Sequence, residues 1–256
     1  MWDFETDPEY QEKLDWVEEF MRTDLEPLDL APLDPYDKKN PELMAVLRPL
    51  QQKVKDHGLW AAHLSPDLGG QGFGQVQLAL LNEIVGRSRW APSVFGSQAP
   101  DSGNAEIIAL FGTDDQKQRY LQPLLDGEIS SCYSMTEPQG GSDPGLFTTA
   151  AVRDGDDWVI NGEKWFSSNA RFASFYIVMA VTNPTARTHQ KMSLFIVPAE
   201  APGIEIIRNV GVGGESSAHA SHGYVRYNDV RVPADHVLGG EGQAFAIAQA
   251  RLGGGR

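Results

Sequence analysis

The sequence predicts an α+β protein: an all-α N-terminal helical domain, then an antiparallel β-barrel or β-sandwich domain, then the start of a C-terminal helical bundle. Three observations lead to this prediction. Apolar residues follow a helical period through the first 128 residues, short β-rich runs separated by turns replace that pattern afterwards, and a helical pattern returns near the end. The predicted domains are therefore 1–128, 129–238 and 239–256.

The first helix is predicted from an apolar stripe. Tyr10, Leu14, Val17, Phe20 and Met21 share one face at helical spacing, and acidic residues occupy the opposite face. A helix of this kind buries its apolar stripe against neighbouring elements.

The later helices of this region are predicted from their ends and their apolar density. Asn40-Pro41 has the pattern of an N-cap followed by proline at the first helical position. Pro49 is expected to start a new helix, because proline disrupts a helix interior. Dense apolar residues over 76–85 predict a mostly buried helix, and a capping box over 113–116 opens another.

After Glu128 the apolar residues recur in short runs that are typical of strands. Turn residues separate the runs, above all Asp154-Gly155-Asp156 and the hairpin dipeptide Asn161-Gly162. Because no long helix interrupts the runs, an antiparallel sheet is favoured over a doubly wound parallel one. The predicted strand runs are 131–136, 146–152, 158–160, 165–168, 175–181, 193–197, 204–207 and 224–232.

The composition excludes several classes of protein. The chain has 21 Lys and Arg against 35 Asp and Glu, a formal net charge of −14, whereas nucleic acids and anionic membranes attract clustered cations. No apolar run reaches the ~18 residues that a transmembrane helix requires. Cys132 is the single cysteine, which excludes an intramolecular disulfide and a cysteine-based zinc site. The acidic N-terminus resembles neither a signal nor a transit peptide, so a cytoplasmic protein is expected.

Other familiar motifs are absent or poorly formed. The glycines of 69–74 and 240–242 do not have the spacing or the preceding strand of a dinucleotide fingerprint. His219 and His222 are three apart and would point to opposite faces of an extended segment, so no metal site is predicted. Cys132 has no nearby histidine that would activate it as a nucleophile.

The stretch from Cys132 to Asp143 is the first candidate for binding chemistry. A strand ending in Thr136 runs into a loop that contains Pro138, two glycines and Ser142. Exposed backbone N–H groups and hydroxyls suit a diphosphate or the polar edge of a heteroaromatic ring. The residues alone are equally consistent with an ordinary strand-to-loop connection.

The stretch from Asn161 to Ala170 is the second candidate. Trp165 and Phe166 are adjacent, and two hydroxyls, Ser167 and Ser168, follow them. Neighbouring strand residues face opposite sides, so one ring must leave the core side unless both sides are covered. An aromatic face beside hydroxyls could stack on a planar cofactor, although ordinary hairpin packing explains the pattern equally well.

In this order the two stretches resemble the flavin signatures of the acyl-CoA dehydrogenase family. The family pattern is aromatic-x-x-Thr-Glu-Pro-x-x-Gly-Ser-Asp, followed by Asn-Gly-x-Lys-x-(Trp/Phe)-(Ile/Ser)-(Thr/Ser)-Asn. The resemblance extends over nearly the whole chain and includes Gly58-Leu-Trp60, Ala99-Pro-Asp101, Gly112-Thr-Asp-Asp-Gln-Lys117, Asp229-Val-Arg-Val-Pro233 and Gly240-Glu-Gly242.

The resemblance implies FAD as cofactor, with contacts of four kinds. The implied residues are Tyr133, Met135 and Thr136 at the isoalloxazine edge, Gly141 and Ser142 at the diphosphate, Phe166 stacked on the flavin, and Ser167 and Ser168 at its polar rim.

The resemblance also implies an acyl-CoA substrate. Ser142 would lie near the acyl-CoA, Thr182 near the CoA phosphate, and Arg251 at the CoA nucleotide. The implied reaction is FAD-dependent α,β-dehydrogenation of a fatty acyl-CoA to the trans-2-enoyl-CoA, as in fatty acid β-oxidation. Electrons would pass to an electron-transfer flavoprotein, and the complete protein would form a homo-oligomer.

No catalytic residue is assigned. In the family the catalytic base is a carboxylate, usually in the C-terminal bundle. In a minority of members it lies on the helix that is predicted to begin near the end of this sequence. At the corresponding position this chain has Ala250, beside Gln249, and neither side chain is a base. The family pattern makes Glu137 and Asp143 structural. The chain is therefore expected to be incomplete, and two alternatives stay open: an inactive or split flavin-binding and acyl-CoA-binding fragment that needs a partner chain, or an acyl-CoA oxidase.

Overall fold

The computed structural model describes residues 6–213 and 220–253. His219, which the sequence analysis considered together with His222 and did not predict to bind a metal, lies outside the described residues. The chain divides into two compact units, Met1–Ser102 and Gly103–Arg256. This division lies inside a helix that begins at Asp101, whereas the sequence pattern changes from helix to strand at 128.

The first unit is helical. In α1 (Pro8–Phe20) the predicted stripe is confirmed, because Tyr10, Leu14, Val17 and Phe20 are all buried, as is Met21 in the π-helical turn that follows. Asp7 caps the helix by accepting a hydrogen bond from the backbone N–H of Tyr10. The helices of this unit are α1 (Pro8–Phe20), α2 (Pro41–Asp56), α3 (Gln75–Val85) and α4 (Ala91–Val94).

Two helix predictions in this unit are wrong. Pro49 does not start a new helix but lies inside α2, where the buried Leu47 and Leu50 flank it. Packing of the apolar face outweighs the one backbone hydrogen bond that proline removes. α3 is not mostly buried, since Val76 is 75% exposed and the buried side chains are Leu81 and Val85.

The second unit begins within α5 (Asp101–Phe111), at Gly103. A helical segment follows, made of α6 (Asp114–Gln116), a π-helical turn (Lys117–Leu121) and α7 (Gln122–Leu125). The predicted capping box is confirmed. The Thr113 hydroxyl accepts from the backbone N–H of Gln116, and the Gln116 side chain accepts from the backbone N–H of Thr113.

An eight-stranded, mostly antiparallel sheet follows, in agreement with the predicted fold class. The strands are β1 (Ser131–Ser134), β2 (Ala150–Asp154), β3 (Asp157–Ser168), β4 (Phe175–Val181), β5 (Met192–Pro198), β6 (Ile204–Val210), β7 (His222–Pro233) and β8 (Val237–Leu238). The strand order is β6-β7-β3-β1-β4-β5-β8, with β2 pairing both β3 and β4, and the parallel pairs are β1 with β4 and β2 with β4. Helix α8 (Ala244–Gly253) follows the sheet.

The two predicted turns have different outcomes. Asp154-Gly155-Asp156 joins β2 to β3 as predicted, with Asp154 paired to Asp157. Asn161-Gly162 is not a hairpin turn, because β3 runs straight through it and its register with β7 shifts between Ile160 and Gly162. Gly162 has φ +146°, and a Cβ there would collide with Thr149, so the glycine permits a close strand approach at an irregularity.

The sheet buries a separate apolar cluster on each face. On β4, Phe175, Ile177 and Met179 pack with residues of α5, α7 and α8, whereas Tyr176 and Val178 face a second cluster that includes residues of β3 and β7. Strand alternation explains the division. Because β4 and β7 are not neighbours in strand order, the contact between Tyr176 on β4 and Tyr227 on β7, with ring centroids 6.4 Å apart, shows that the sheet folds over itself in the predicted sandwich-like manner. No described helix is both long enough and apolar enough for a bilayer crossing.

Candidate functional site

The two stretches that carry the flavin signatures lie side by side in the sheet. Tyr133 on β1 pairs with Ser168 on β3, and the backbone N–H of Trp165 donates to the carbonyl of Thr136 at 2.9 Å. One strand contact and one loop contact therefore join residues separated by about thirty positions in sequence.

Strand alternation sorts the side chains of these stretches onto two faces. Ser134 and Ser167 point to the interior, where their hydroxyls are 2.8 Å apart and Tyr227 donates to the Ser134 hydroxyl at 2.8 Å. Tyr133 and Ser168 are directly opposite on the other face. The hydroxyl of Ser167 is thus held in the core, and any contact it made with a flavin rim would come from its backbone.

Phe166 is the exposed aromatic residue of the site. Its side chain is 46% exposed and its backbone has φ +54°, a left-handed conformation that is costly for a bulky residue. The ring is edge-on to Trp165 and to His222, with centroids 5.5 Å and 6.0 Å away. Phe166 is the more exposed of the two adjacent rings, but regular strand alternation is not the cause, because the register of β3 with β7 shifts between Lys164 and Ser167.

Trp165, by contrast, is half-buried and covered by its neighbours. Tyr224 packs against it at a centroid distance of 4.8 Å, and the Arg208 guanidinium lies 4.8 Å from its ring. The open aromatic face therefore belongs to Phe166.

The loop after β1 is a tight turn followed by exposed residues. Glu137 and Gly140 exchange backbone hydrogen bonds of 3.0 and 3.1 Å. Gly141 and Ser142 come next and are exposed. Asp143 then caps a short 3-10 helix by accepting from the backbone N–H of Gly145 at 2.7 Å, so its carboxylate is structural as the resemblance implied.

A buried ion pair holds this loop against β3. The ammonium of Lys164 donates to the Glu137 carboxylate and to the carbonyl of Met135, both at 2.8 Å, and the Lys164 and Glu137 side chains are 0% and 1% exposed. The carboxylate also accepts from the backbone N–H groups of Thr148 and Thr149 at 2.7 and 3.0 Å. Lys164 thus ties the backbone of Met135 and the side chain of Glu137 to the strand that carries Phe166.

The electrostatics of the pair support a structural role for Glu137. Burial alone would raise the pKa of Glu137, but the charge of Lys164 and the hydrogen bonds lower it to about 2. Burial lowers the pKa of Lys164, and the charge of Glu137 opposes that effect. A buried carboxylate with a lowered pKa and all these donors is a poor general base.

Tyr133 and Arg251 form the second polar feature of the site. The Arg251 guanidinium on α8 lies 3.9 Å from the Tyr133 ring centroid, and its Nε donates to Asn104 at 3.0 Å. Asn104 in turn donates to the Ser131 hydroxyl at 2.8 Å. Burial lowers the pKa of Arg251 but leaves a guanidinium charged. The structure therefore brings Arg251 to the same strand pair as the predicted flavin residues.

Among the described residues, the Tyr133 hydroxyl is a polar group whose hydrogen-bonding capacity is unsatisfied. It is buried and has no hydrogen-bond partner in the described part of the chain. Burial raises the pKa of Tyr133 to about 12, and Arg251 opposes the shift. A buried hydroxyl of this kind usually has a partner, which a ligand or a further part of the protein can provide.

Thr182 stands apart from the other predicted residues. It follows the end of β4 that pairs with β2, whereas the opposite end of β4 pairs with β1. Its hydroxyl is 2.8 Å from that of Ser193, which also accepts from the backbone N–H of Gly242 at 3.0 Å. The described residues contain no group of three or more His, Cys, Asp and Glu side chains that could hold a metal ion.

Three residues of this arrangement were not predicted as site residues. Lys164 lies inside the second signature, but the sequence did not show that its side chain pairs with Glu137. Asn104 gave no sequence signal. His222 was considered only as a metal ligand, whereas its Nδ1 lies 2.9 Å from the Ser168 hydroxyl.

Comparison with family models identifies two domains. Residues 7–128 match the N-terminal domain of acyl-CoA dehydrogenases, and residues 132–230 match their middle domain. Among curated proteins, "Probable acyl-CoA dehydrogenase FadE2" of Mycobacterium tuberculosis is 45% identical over 82% of this chain and 52% of its own length. "Acyl-CoA dehydrogenase family member 11" of Mus musculus is 37% identical over 96% of this chain and 32% of its own length.

Solved structures give the same result. An acyl-CoA dehydrogenase candidate from Mycobacterium abscessus is 36% identical with a TM-score of 0.86, and the alignment covers 98% of this chain and 65% of that one. Butyryl-CoA dehydrogenase from Megasphaera elsdenii is 26% identical with a TM-score of 0.70 over 99% and 64% of the two chains. A chain in a structure described as the electron-transferring flavoprotein of Acidaminococcus fermentans has 26% identity and a TM-score of 0.69, with 99% and 64% covered.

The chain spans about half of the Mycobacterium tuberculosis relative and about a third of the mouse relative. The two matched domains follow each other in the order that the helix and strand patterns predicted, and together they account for most of the chain. The chain therefore belongs to the acyl-CoA dehydrogenase family, whose N-terminal and middle domains it contains.

Proposed function

We propose that this chain is part of a FAD-dependent dehydrogenase that converts a fatty acyl-CoA to the trans-2-enoyl-CoA. The observation that carries the proposal is the junction of the two signatures. There Tyr133 pairs with Ser168, and the backbone N–H of Trp165, next to the exposed Phe166, donates to the carbonyl of Thr136. The exposed Gly141 and Ser142 follow Thr136 in the same loop. Family membership and the names of the relatives support the same reaction class.

The residues present fit FAD. Phe166 offers an aromatic face, Ser168 a hydroxyl, and exposed Gly141 and Ser142 offer backbone N–H groups and a further hydroxyl suited to a diphosphate. The unpartnered Tyr133 hydroxyl is a further donor or acceptor at the same strand pair. Bound FAD would supply the two-electron oxidant for removing hydrogen across the α,β bond of the thioester.

The chain's own contribution is orientation. The Glu137–Lys164 pair fixes the loop that carries Thr136 and Gly141, and the Arg251–Tyr133 contact ties α8 to β1. The catalytic base is left unassigned, because both candidate carboxylates, Glu137 and Asp143, are occupied in structural hydrogen bonds. Ser142, Thr182 and Arg251 are proposed substrate contacts. An electron-transfer flavoprotein as acceptor, a homo-oligomeric whole protein and a role in cytoplasmic lipid metabolism belong to the same proposal.

The experiment is purification of this chain, followed by FAD titration and spectroscopy. We expect FAD binding with a flavin spectrum. Acyl-CoA-dependent bleaching would indicate a working dehydrogenase, and binding without bleaching would indicate a fragment that needs a partner chain. Rapid reaction of the reduced flavin with oxygen would instead favour an acyl-CoA oxidase. Absence of FAD binding would contradict the proposal for this chain.

A variant sharpens this experiment. Ser142→Ala should weaken FAD or acyl-CoA binding by about three- to tenfold, the usual value of one hydrogen bond. Thr23→Ala removes an exposed hydroxyl from the helical unit and should leave both affinities unchanged. Equal affinities for the Ser142 variant and the unaltered chain would remove Ser142 from the site.

A further inference from the structure

His222 connects β7 to two of the proposed flavin contacts. It is the first residue of β7 and pairs in register with Ser168 on β3. Its Nδ1 lies 2.9 Å from the Ser168 hydroxyl oxygen, and its ring is edge-on to Phe166, with centroids 6.0 Å apart. Neither signature includes this residue.

The backbone around His222 fixes its position. The N–H of Asn169 donates to the carbonyl of Ser221 at 2.6 Å, and Ser167 pairs with Gly223 in the β3–β7 ladder. β6 pairs on the other side, where Val210 opposes His222. The imidazole is therefore presented to Ser168 by strands paired on both sides.

A serine hydroxyl has one proton, so its partners decide whether it donates or accepts. If Nδ1 of His222 carries a proton, it donates to the Ser168 oxygen and leaves the Ser168 proton directed to another acceptor. If Nδ1 is unprotonated, it accepts that proton and leaves Ser168 as an acceptor only. The histidine thus controls what Ser168 presents to a ligand.

We propose that His222 is a positioning residue that orients the Ser168 hydroxyl toward the polar rim of the bound flavin. The inference rests on the proposed FAD site. His222 acts through Ser168, and its ring contact with Phe166 is packing. Because hydroxyl orientation changes an interaction with the flavin ring, it changes both the affinity for FAD and the absorption spectrum of bound FAD.

Two substitutions separate the hydrogen bond from the ring contact. His222→Asn keeps a polar atom near the position of Nδ1 but loses the ring, whereas His222→Phe keeps a ring and loses the hydrogen bond. FAD affinity and the bound-flavin spectrum are measured for both by titration. We expect the Asn variant to resemble the unaltered chain, and the Phe variant to bind FAD about three- to tenfold more weakly with a shifted spectrum.

A double variant tests whether His222 acts through Ser168. Ser168→Ala should weaken FAD binding, and adding His222→Phe should cause no further loss. His57, an exposed histidine stacked on Trp16 in the first unit, provides a control, and His57→Phe should leave FAD binding unchanged. Urea unfolding of each variant identifies any loss that comes from the fold.

The outcomes are distinct. Weakened binding by the Asn variant with normal binding by the Phe variant would make His222 a packing residue and overturn the inference. Additive losses in the double variant would overturn its action through Ser168. Failure of the unaltered chain to bind FAD would instead contradict the proposed function, and this inference with it.

Discussion

Glu137 in the loop after β1 and Phe166 near the end of β3 belong to neighbouring segments with opposite environments. Glu137 is buried, paired with Lys164 and surrounded by backbone donors. Phe166 is exposed, has a left-handed backbone and contacts the rings of Trp165 and His222 edge-on. The loop anchor, defined as Glu137 and Lys164, has satisfied polar groups. The rim, defined as Phe166 and Ser168, offers an aromatic face and a hydroxyl.

This difference separates residues that hold the site from residues that contact a ligand. Substitutions in the loop anchor should reduce the free energy of unfolding and affect FAD only as a consequence. Substitutions in the rim should reduce FAD affinity and leave stability nearly unchanged.

Lys164→Met should cause the largest loss of stability. It leaves the Glu137 carboxylate buried without its countercharge, which typically costs about 3–5 kcal/mol of unfolding free energy. Urea unfolding measures the loss. Arg226→Met, which removes an exposed cation paired with Glu163 and Glu205, is the matched control and should have a much smaller effect. Similar effects for the two variants would mean that the loop anchor is not a stabilising element.

The contribution of Glu137 should disappear in acid. Its pKa in the folded protein, about 2, is below the ordinary value of 4.5, so its stabilisation is present above pH 4.5 and is lost as pH falls toward 2. The stability difference between the unaltered chain and Glu137→Gln should therefore narrow by about 3 kcal/mol over that interval. Unfolding curves at several pH values test this, and a constant difference would contradict the lowered pKa.

Tyr227→Phe should cause an intermediate loss. Tyr227 is fully buried and donates to Ser134, which keeps its hydrogen bond to Ser167 in the variant. The expected loss is about 1 kcal/mol of unfolding free energy, with FAD affinity unchanged, because these hydroxyls face the interior. A marked loss of FAD affinity at normal stability would place this network in the flavin site.

Phe166→Gly should have the smallest effect on stability. Glycine relieves the left-handed strain but loses side-chain packing, so the unfolding free energy should change by about 1 kcal/mol or less. Removing the aromatic face should weaken FAD binding by about tenfold. Parallel urea unfolding and FAD titration test both parts. A large loss of stability with normal FAD affinity would mean that Phe166 stabilises the fold and does not contact FAD, which contradicts the separation between rim and loop anchor.

The order of helices and strands could be predicted from sequence because it depends on local pattern. The stripe from Tyr10 to Met21, the capping box at Thr113 and the turn at Gly155 each act over a few residues, and the structure confirms all three. The exposure of Phe166 follows from an irregularity in β3 between Lys164 and Ser167 and not from the strand alternation on which the sequence argument rested.

Predictions from local sequence pattern were wrong where packing or pairing with residues distant in sequence outweighed the local preference. Asn161-Gly162 has a strong turn preference, but pairing with β7 carries β3 through it, and the Asn161 side chain bonds Asp229 instead. Pro49 disfavours a helix interior, but the buried face of α2 continues past it. In both cases tertiary packing exceeds a local preference, which for proline in a helix interior is about 3 kcal/mol.

The sequence alone identified the family signatures and the residues within them, because their types and spacing are written along the chain. It did not identify the pairing of Glu137 with Lys164, the inward direction of Ser167, or the contact of His222 with Ser168. Each of these depends on which strands become neighbours and in which register. Register is a property of the assembled sheet, and a shift of one residue would exchange the faces on which Ser167 and Ser168 lie.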